Sequence, residues 1–369
     1  MMTFSSFNPA CYIPSAVNKY LPSAVACPPP PSFFYTIYNT IISPINSTYG
    51  TVRAMLEAFV GLPFLSVIML LTNGGWSTTI NIFFFYITWS TLVLAHPPLR
   101  VELIGSLAIR LVFYVIPSLL FLTFDTLLPS TAEGFKAYGA EALPFANASS
   151  RRKTMRQLRI LGWSLANILL ATLLQLTIEV LLTQVLLVRS AVRVTTSLPA
   201  PISILKNLAQ GYIIREILTY TIHRFALHER SHGKNIAAQC HQQWYHNVVK
   251  VPFPLSESYD HPLPYLLLRF LPTYLPAFLL RFHLLTYLIF LAVISLEETF
   301  ANSGYCSSSA LPMNFFFLGG IARHTNLHAV HSGHGNYGSV GLVDWIMGTA
   351  IGCQGSADAE AEGCHGETE

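Results

Sequence analysis

The chain has 369 residues, of which 52% are hydrophobic and only 11% charged, with a formal net charge of +3 and a mean hydropathy of +0.47. A soluble globular domain carries roughly 25% charged residues, so composition excludes an ordinary soluble enzyme. So small a charge, without a dense basic and aromatic stripe, also excludes a nucleic-acid binder. Six cysteines lie scattered at 11, 27, 240, 306, 353 and 364 with no C-x-x-C pair, which gives neither a disulfide framework nor a thiolate zinc site.

Residues 1–50 are rich in Pro, Ser, Tyr and Asn and lack the basic start and compact apolar core of a cleavable signal peptide, so they read as a loosely ordered N-terminal segment. Asn46-Ser-Thr and Asn147-Ala-Ser match the glycosylation sequon, which counts only in lumen-facing loops. Residues 51–208 read as transmembrane helices and connecting loops. The apolar runs 54–73, 79–96 and 102–122 each approach the roughly 20 residues that cross a bilayer. After a polar connection, 123–156, the basic group Arg151-Arg152-Lys153 with Arg156 and Arg159 reads as a cytoplasmic topology determinant. The run 158–188 is long enough for one tilted helix or a tight hairpin. Pro199-Ala200-Pro201 breaks the chain, and 203–228 is expected to be helical. Residues 263–296, interrupted by Pro264, Pro272 and Pro276, suit an interfacial or re-entrant helix followed by one crossing. Residues 351–369 form an acidic tail, expected to be disordered. The expected fold is an all-α integral membrane protein, a multi-pass helical bundle with a histidine-rich metal site at the cytosolic helix ends.

Eleven of the 13 histidines fall between His223 and His334. They cluster as His223-Arg-Phe-Ala-Leu-His228, His241-Gln-Gln-Trp-Tyr-His246 and His324-Thr-Asn-Leu-His328-Ala-Val-His331. Imidazole is the commonest protein metal ligand, and polar side chains beside a membrane are costly unless paired or used. Positions four apart share a helix face, so His228 with His232, and His324 with His328, could each grip one ion, and His331 extends the latter face. His223 and His228, five apart, diverge by roughly 140° on a regular helix. A π-bulge would bring them together. His241 and His246 have the same gap and are expected on less regular backbone. Seven or eight nitrogen donors exceed the roughly four that one zinc takes, so two ions are the natural reading. Imidazole suits iron, zinc, copper and nickel alike.

His232, His283 and His334 are as readily structural as ligating, and His96 and His365 lie outside the pattern. Cys240, beside His241, reads as packing. Among the carboxylates, Glu216, Glu229, Glu257, Asp260, Glu297, Glu298 and Asp344 are candidates to orient ligand rings through the second ring N–H, with Glu297 and Glu298 favoured for a role in the site.

The three clusters in this order resemble the histidine boxes of the fatty acid hydroxylase/sterol desaturase superfamily. His223-Arg224 through His228 is similar to the first box. Tyr259-Asp-His261-Pro262 resembles the element that follows the second, and Asn336-Tyr-Gly with Asp344-Trp-Ile-Met-Gly-Thr349 resembles the ending after the third. The resemblance covers about 209–350 and implies a catalytic domain there. It departs from the pattern in three places: Trp244-Tyr245 and Ser332 stand where double histidines fall, and Asn302 stands where relatives often carry histidine. The resemblance implies a non-haem di-iron centre held by His223, His228, His241, His246, His261, His324, His328 and His331, with His232, His324 and His334 as substitutes for the displaced ligands. It further implies O2-dependent hydroxylation or desaturation of a lipid such as a sterol, sphingoid base or fatty acyl chain. Electrons would come from cytochrome b5 and its reductase at the endoplasmic reticulum membrane, since no G-x-G-x-x-G after a strand marks a nicotinamide or flavin site in this chain. Two other readings stand beside this one: a metal-binding or metal-transporting membrane protein, and a catalytically inactive family member that binds lipid.

Overall fold

The structure is a computed structural model that describes residues 76–144, 151–228, 235–305 and 318–352. The expected crossing at 54–73, the N-terminal segment, both sequons, His232, Glu229, His365 and the acidic tail lie outside the described residues. No strand occurs among the described residues, which contain only two isolated bridges, Lys136 to Tyr305 and Arg193 to His283. The chain is an all-α membrane protein, as composition requires.

Helix α1 spans Trp76–Ala95 and α2 spans Pro98–Leu127. Pro97 and Pro98 separate them, with Pro98 in the first turn where a missing N–H costs nothing. A short α3, Pro129–Phe135, follows. The ambiguous run at 158–188 proves to be part of one continuous helix, α4, at 151–185, so there is no hairpin. Helix α5 covers 201–227 and begins at Pro201 after the expected break. Then come α6 at 236–246, α7 at 262–279, α8 at Leu284–Ala301, α9 at Leu318–Val330 and the short α10 at Leu342–Ile346. The expected pair at 263–296 is α7 and α8.

Three of these helices are long and apolar enough to cross a membrane: Pro98–Leu127, Thr154–Val185 and Leu284–Ala301. They differ in burial. Only 22% of the apolar window is buried in α2 and in α4, against 67% in α8, so α8 is the central post. The outer faces of α2 and α4 expose Leu119, Leu120, Leu165, Leu169 and Leu173, the surface a helix presents to acyl chains.

Buried arginines and lysine here meet carboxylates. Arg110 of α2 meets Glu298 of α8 at 2.7 Å, Arg215 of α5 meets Glu297 at 3.0 Å and Glu298 at 3.6 Å, and Arg269 of α7 meets Glu257 at 2.6 Å. Tyr212 donates to Glu297 and Asn302 to Glu257. A further pair, Lys136 with Asp125 at 2.5 Å, sits wholly inside, where Tyr305 also donates to Asp125. Glu297 and Glu298, favoured for a role in the site, bind the arginines that join α2, α5 and α8 and also line the cavity beside the histidines.

Removing one partner of a buried pair strands the other charge and costs about 3–5 kcal/mol. Asp125→Ala is therefore expected to lower the thermal unfolding temperature of the detergent-solubilised protein well below that of Asp125→Asn, which keeps an acceptor for Lys136 and Tyr305. Equal melting of both variants with the wild type would contradict a fold that depends on this pair.

Candidate metal centre

Each of the first two histidine clusters ends its helix in a π turn. Helix α5 changes from α to π over Ile222–Leu227, and α6 does so over Gln242–His246. The wider π turn brings residues five apart onto one side. His223 and His228 thereby come to 4.8 Å between ring centroids, and His241 and His246 to 4.9 Å. His328, on the last turns of α9, lies 4.5 Å from His223 and 5.1 Å from His246. The five rings form one group whose ligand atoms all lie within 4.8 Å of one another.

Three of these rings are anchored through Nδ1. His223 Nδ1 donates to the Tyr337 carbonyl at 2.8 Å, and His328 Nδ1 donates to the Gly335 carbonyl at 2.7 Å. A carbonyl can only accept, so the proton of each neutral ring sits on Nδ1. His241 Nδ1 meets the Asp260 carboxylate at 2.5 Å. Each anchor leaves Nε2 with its lone pair turned inward, and Nε2 of His223, His241 and His328 is buried with no hydrogen-bond partner. His246 Nε2 lies 3.2 Å from His228 Nε2. A buried polar group left unsatisfied costs roughly 1–3 kcal/mol. Several convergent bare acceptors are intelligible as ligands for a cation. The donor chemistry fits a first-row transition metal such as iron.

Electrostatics agree. Burial, reinforced by neighbouring imidazoles, holds His223 and His228 well below the ordinary imidazole range. The same causes bring His246 down to about 2, and burial is the main cause that brings His328 down to about 3. The rings are neutral at physiological pH, the state that ligates a metal.

The anchoring carbonyls belong to the loop after α9, whose motif residues explain its shape. Asp344 accepts from the N–H groups of Tyr337 at 2.7 Å and Gly338 at 2.6 Å, and from the Thr349 hydroxyl at 2.8 Å. Asn336, at φ 51°, donates to the carbonyls of His324 and Ile351. Glu216 of α5 accepts from the N–H groups of Ser339, Val340 and Gly341. Gly333 is required twice over: its φ is +88°, and a Cβ there would lie 2.2 Å from Cε1 of His228.

Three histidines expected as ligands stand apart from this group. His261 caps α7, its Nδ1 accepting from the Leu263 N–H at 3.2 Å while Pro262 takes the first helical position. The His-Pro pair is itself a helix-start signal. His324 Nε2 is 3.2 Å from the Gly338 carbonyl and 3.4 Å from Asp344. His331 is exposed, with Nδ1 on the Leu327 carbonyl at 2.9 Å. His283 caps α8 and reaches Thr195, and Cys240 is a free thiol outside the group. His334 is exposed near the group. Sequence spacing missed Gly335 and Tyr337, which act through backbone carbonyls that no side-chain pattern marks, and the buried arginines.

Beside the ligand nitrogens lies a cavity of about 50 Å³, lined by His223, His241, His328, Glu257, Arg215 and Arg269 among others. Charged and polar side chains reach into it, and it is large enough for a few waters.

Residues 208–349 match the sequence model of the fatty acid hydroxylase family. This part of the chain is similar to that family. The match nearly coincides with the segment whose motifs carry the resemblance. No solved structure matches the chain. That family consists of oxidoreductases that typically depend on iron, and the five-histidine group within the matched segment could hold a metal.

Three outcomes are expected. Asp260→Ala removes the acceptor that orients His241 and should weaken metal affinity about 10–100-fold, read by competition with a chelator. Gly333→Ala forces its methyl into the His228 ring and should lose metal more completely than Gly338→Ala loses it, provided both fold by circular dichroism. The third concerns acid. In the fold His223, His228, His246 and His328 titrate well below 6.5, with His328 at about 3, so the unfolded state binds more protons in this interval. The stability of metal-free protein therefore falls as the pH drops from 6.5 towards 3, with no slope from these rings above that window. Denaturant titrations across pH that show a flat or rising stability on acidification would contradict the neutral-ring assignment.

Proposed function

We propose that this protein is a membrane-bound, iron-dependent oxidoreductase that uses O2 to hydroxylate or desaturate a lipid in lipid biosynthesis. The observation that carries the reading is the convergence of bare, buried imidazole nitrogens inside a fatty acid hydroxylase-family domain attached to apolar helices. Iron bound there would supply the redox chemistry that activates O2 toward an unactivated C–H bond. Hydroxylation consumes R–H, O2, two electrons and two protons and yields R–OH and water. Desaturation consumes the same O2, two electrons and two protons, takes two hydrogens from adjacent carbons and yields the alkene and two waters.

The chain's own residues divide the remaining work. His223, His228, His241, His246 and His328 bind the metal. Tyr337 and Gly335 carbonyls and Asp260 hold three of these rings at fixed tautomer and angle. The polar cavity brings water, and hence protons, to the inner side of the site. Burial raises the Glu257 carboxyl above the ordinary carboxylate range, while Arg269 beside it pulls the other way. Electrons come from a redox partner of the cytochrome b5 and reductase type, and the endoplasmic reticulum membrane is the expected location. The substrate class is a lipid with a long apolar segment, such as a sterol, sphingoid base or fatty acyl chain.

Expression in a host of defined lipid composition, followed by lipid mass spectrometry, tests the reading. Wild type is expected to produce a lipid heavier by one oxygen or lighter by two hydrogens, and His228→Ala to produce none. Identical lipid profiles for wild type, His228→Ala and the empty host, with the redox partner supplied, would sink it.

A further inference from the structure

The number of ions follows from the spread of the donors. First-row metals bind imidazole nitrogen at about 2.0–2.1 Å, as zinc does, so donors on opposite sides of one ion lie about 4.2 Å apart. In a two-ion site the metals sit about 3.5–4 Å apart, which puts donors on the outer flanks about 8 Å from one another. Here all five donors fall within 4.8 Å. That is the dimension of a single coordination sphere.

The positions where the histidine-box pattern would add ligands are filled by residues doing something else. Tyr245 stacks on His241, ring planes 5° apart. Trp244 packs edge-on against Trp163 and His261. Asn302 donates to Glu257 and to the Glu298 carbonyl. Ser332 is exposed in the turn after α9 at φ 55°. Among the described residues, the other expected donors lie outside this group: His261 caps α7, His324 contacts the loop at Gly338, and His331 is exposed.

We infer that this chain holds a single metal ion in a sphere of five imidazoles, with one octahedral position open, instead of the ion pair that its histidine boxes imply. The identity of that ion as iron rests on the function proposed above; the count does not. A first-row metal that takes six donors would keep, beside these five rings, a position for an exogenous small molecule such as O2. Asp260 is the one carboxylate that touches a ligand ring of this sphere among the described residues, so it is the only group in direct contact with the ligands that offsets the ion's charge.

Full-length protein purified in detergent from iron-supplemented cells tests the count. Metal per chain is measured by mass spectrometry of the elements, and electron paramagnetic resonance is recorded on the oxidised protein. The expected result is one iron per chain with the signal of an isolated high-spin ferric ion. His331→Ala, at an exposed position, is expected to keep that iron and signal, whereas His223→Ala and His241→Ala lose both. Two irons per chain with the spectrum of a spin-coupled pair overturn the single-ion inference and leave the proposed oxidation of lipid standing. One zinc per chain, lost in His241→Ala, supports the five-imidazole sphere and overturns the proposed iron chemistry instead. Loss of metal in His331→Ala, with the fold intact by circular dichroism, also overturns the single-ion inference.

Discussion

An imidazole serves a metal well only when its second nitrogen is held, because a free ring rotates and exchanges its proton between the two nitrogens. The site depends on meeting that condition inside an apolar protein. Two of the holding groups are main-chain carbonyls of the loop after α9, at Gly335 and Tyr337, and one is the carboxylate of Asp260. The loop is in turn fixed by Asp344, Asn336 and Glu216, none of which touches a member of the five-histidine group. Much of what looks like a terminal motif is thus scaffolding for two carbonyl oxygens. The same carbonyls fix the tautomer, so backbone placement decides which nitrogen faces inward.

Helix geometry is the second requirement. An α-helix cannot present residues five apart on one side, yet two of the clusters have that spacing. Both helices solve the mismatch by closing in a π turn at the histidines themselves. The turn in α6 has a further consequence. It carries His246 inward, past the Trp244-Tyr245 pair where the resemblance expects a double histidine, and leaves Tyr245 stacked on His241.

The remaining charges act at a distance from the ligands. Arg110, Arg215 and Arg269 pair with Glu298, Glu297 and Glu257, joining four helices to the turn at Pro254–Ser258 on the far side of the cavity. Such pairs contribute little net stability in a low-dielectric interior, since desolvation offsets attraction. Their cost when mismatched is large, however, so they specify how the helices register. Asn167 of α4 adds neutral bonds to the carbonyls of Ser258 and Asp260, which places the Asp260 carboxylate against His241.

The all-α membrane character, the helix at 201–227, the paired helices α7 and α8, and the clustering of chemistry after residue 209 were legible in the sequence. They follow from local properties: apolar run length, proline breaks and the density of one residue type. The need for a π turn between His223 and His228 was legible too, because it is a matter of helical angle. The sequence also left one helix or two open at 158–188, since length alone cannot distinguish a tilted crossing from a hairpin. Tertiary structure alone selected five histidines from the eight that spacing and resemblance nominated. It turned His261 into a helix cap and His324 into a loop contact, and it left His331 exposed. Spacing states which side of its own helix a residue occupies, but a coordination sphere is a meeting of several helix ends, and only their packing determines which imidazoles reach the same point.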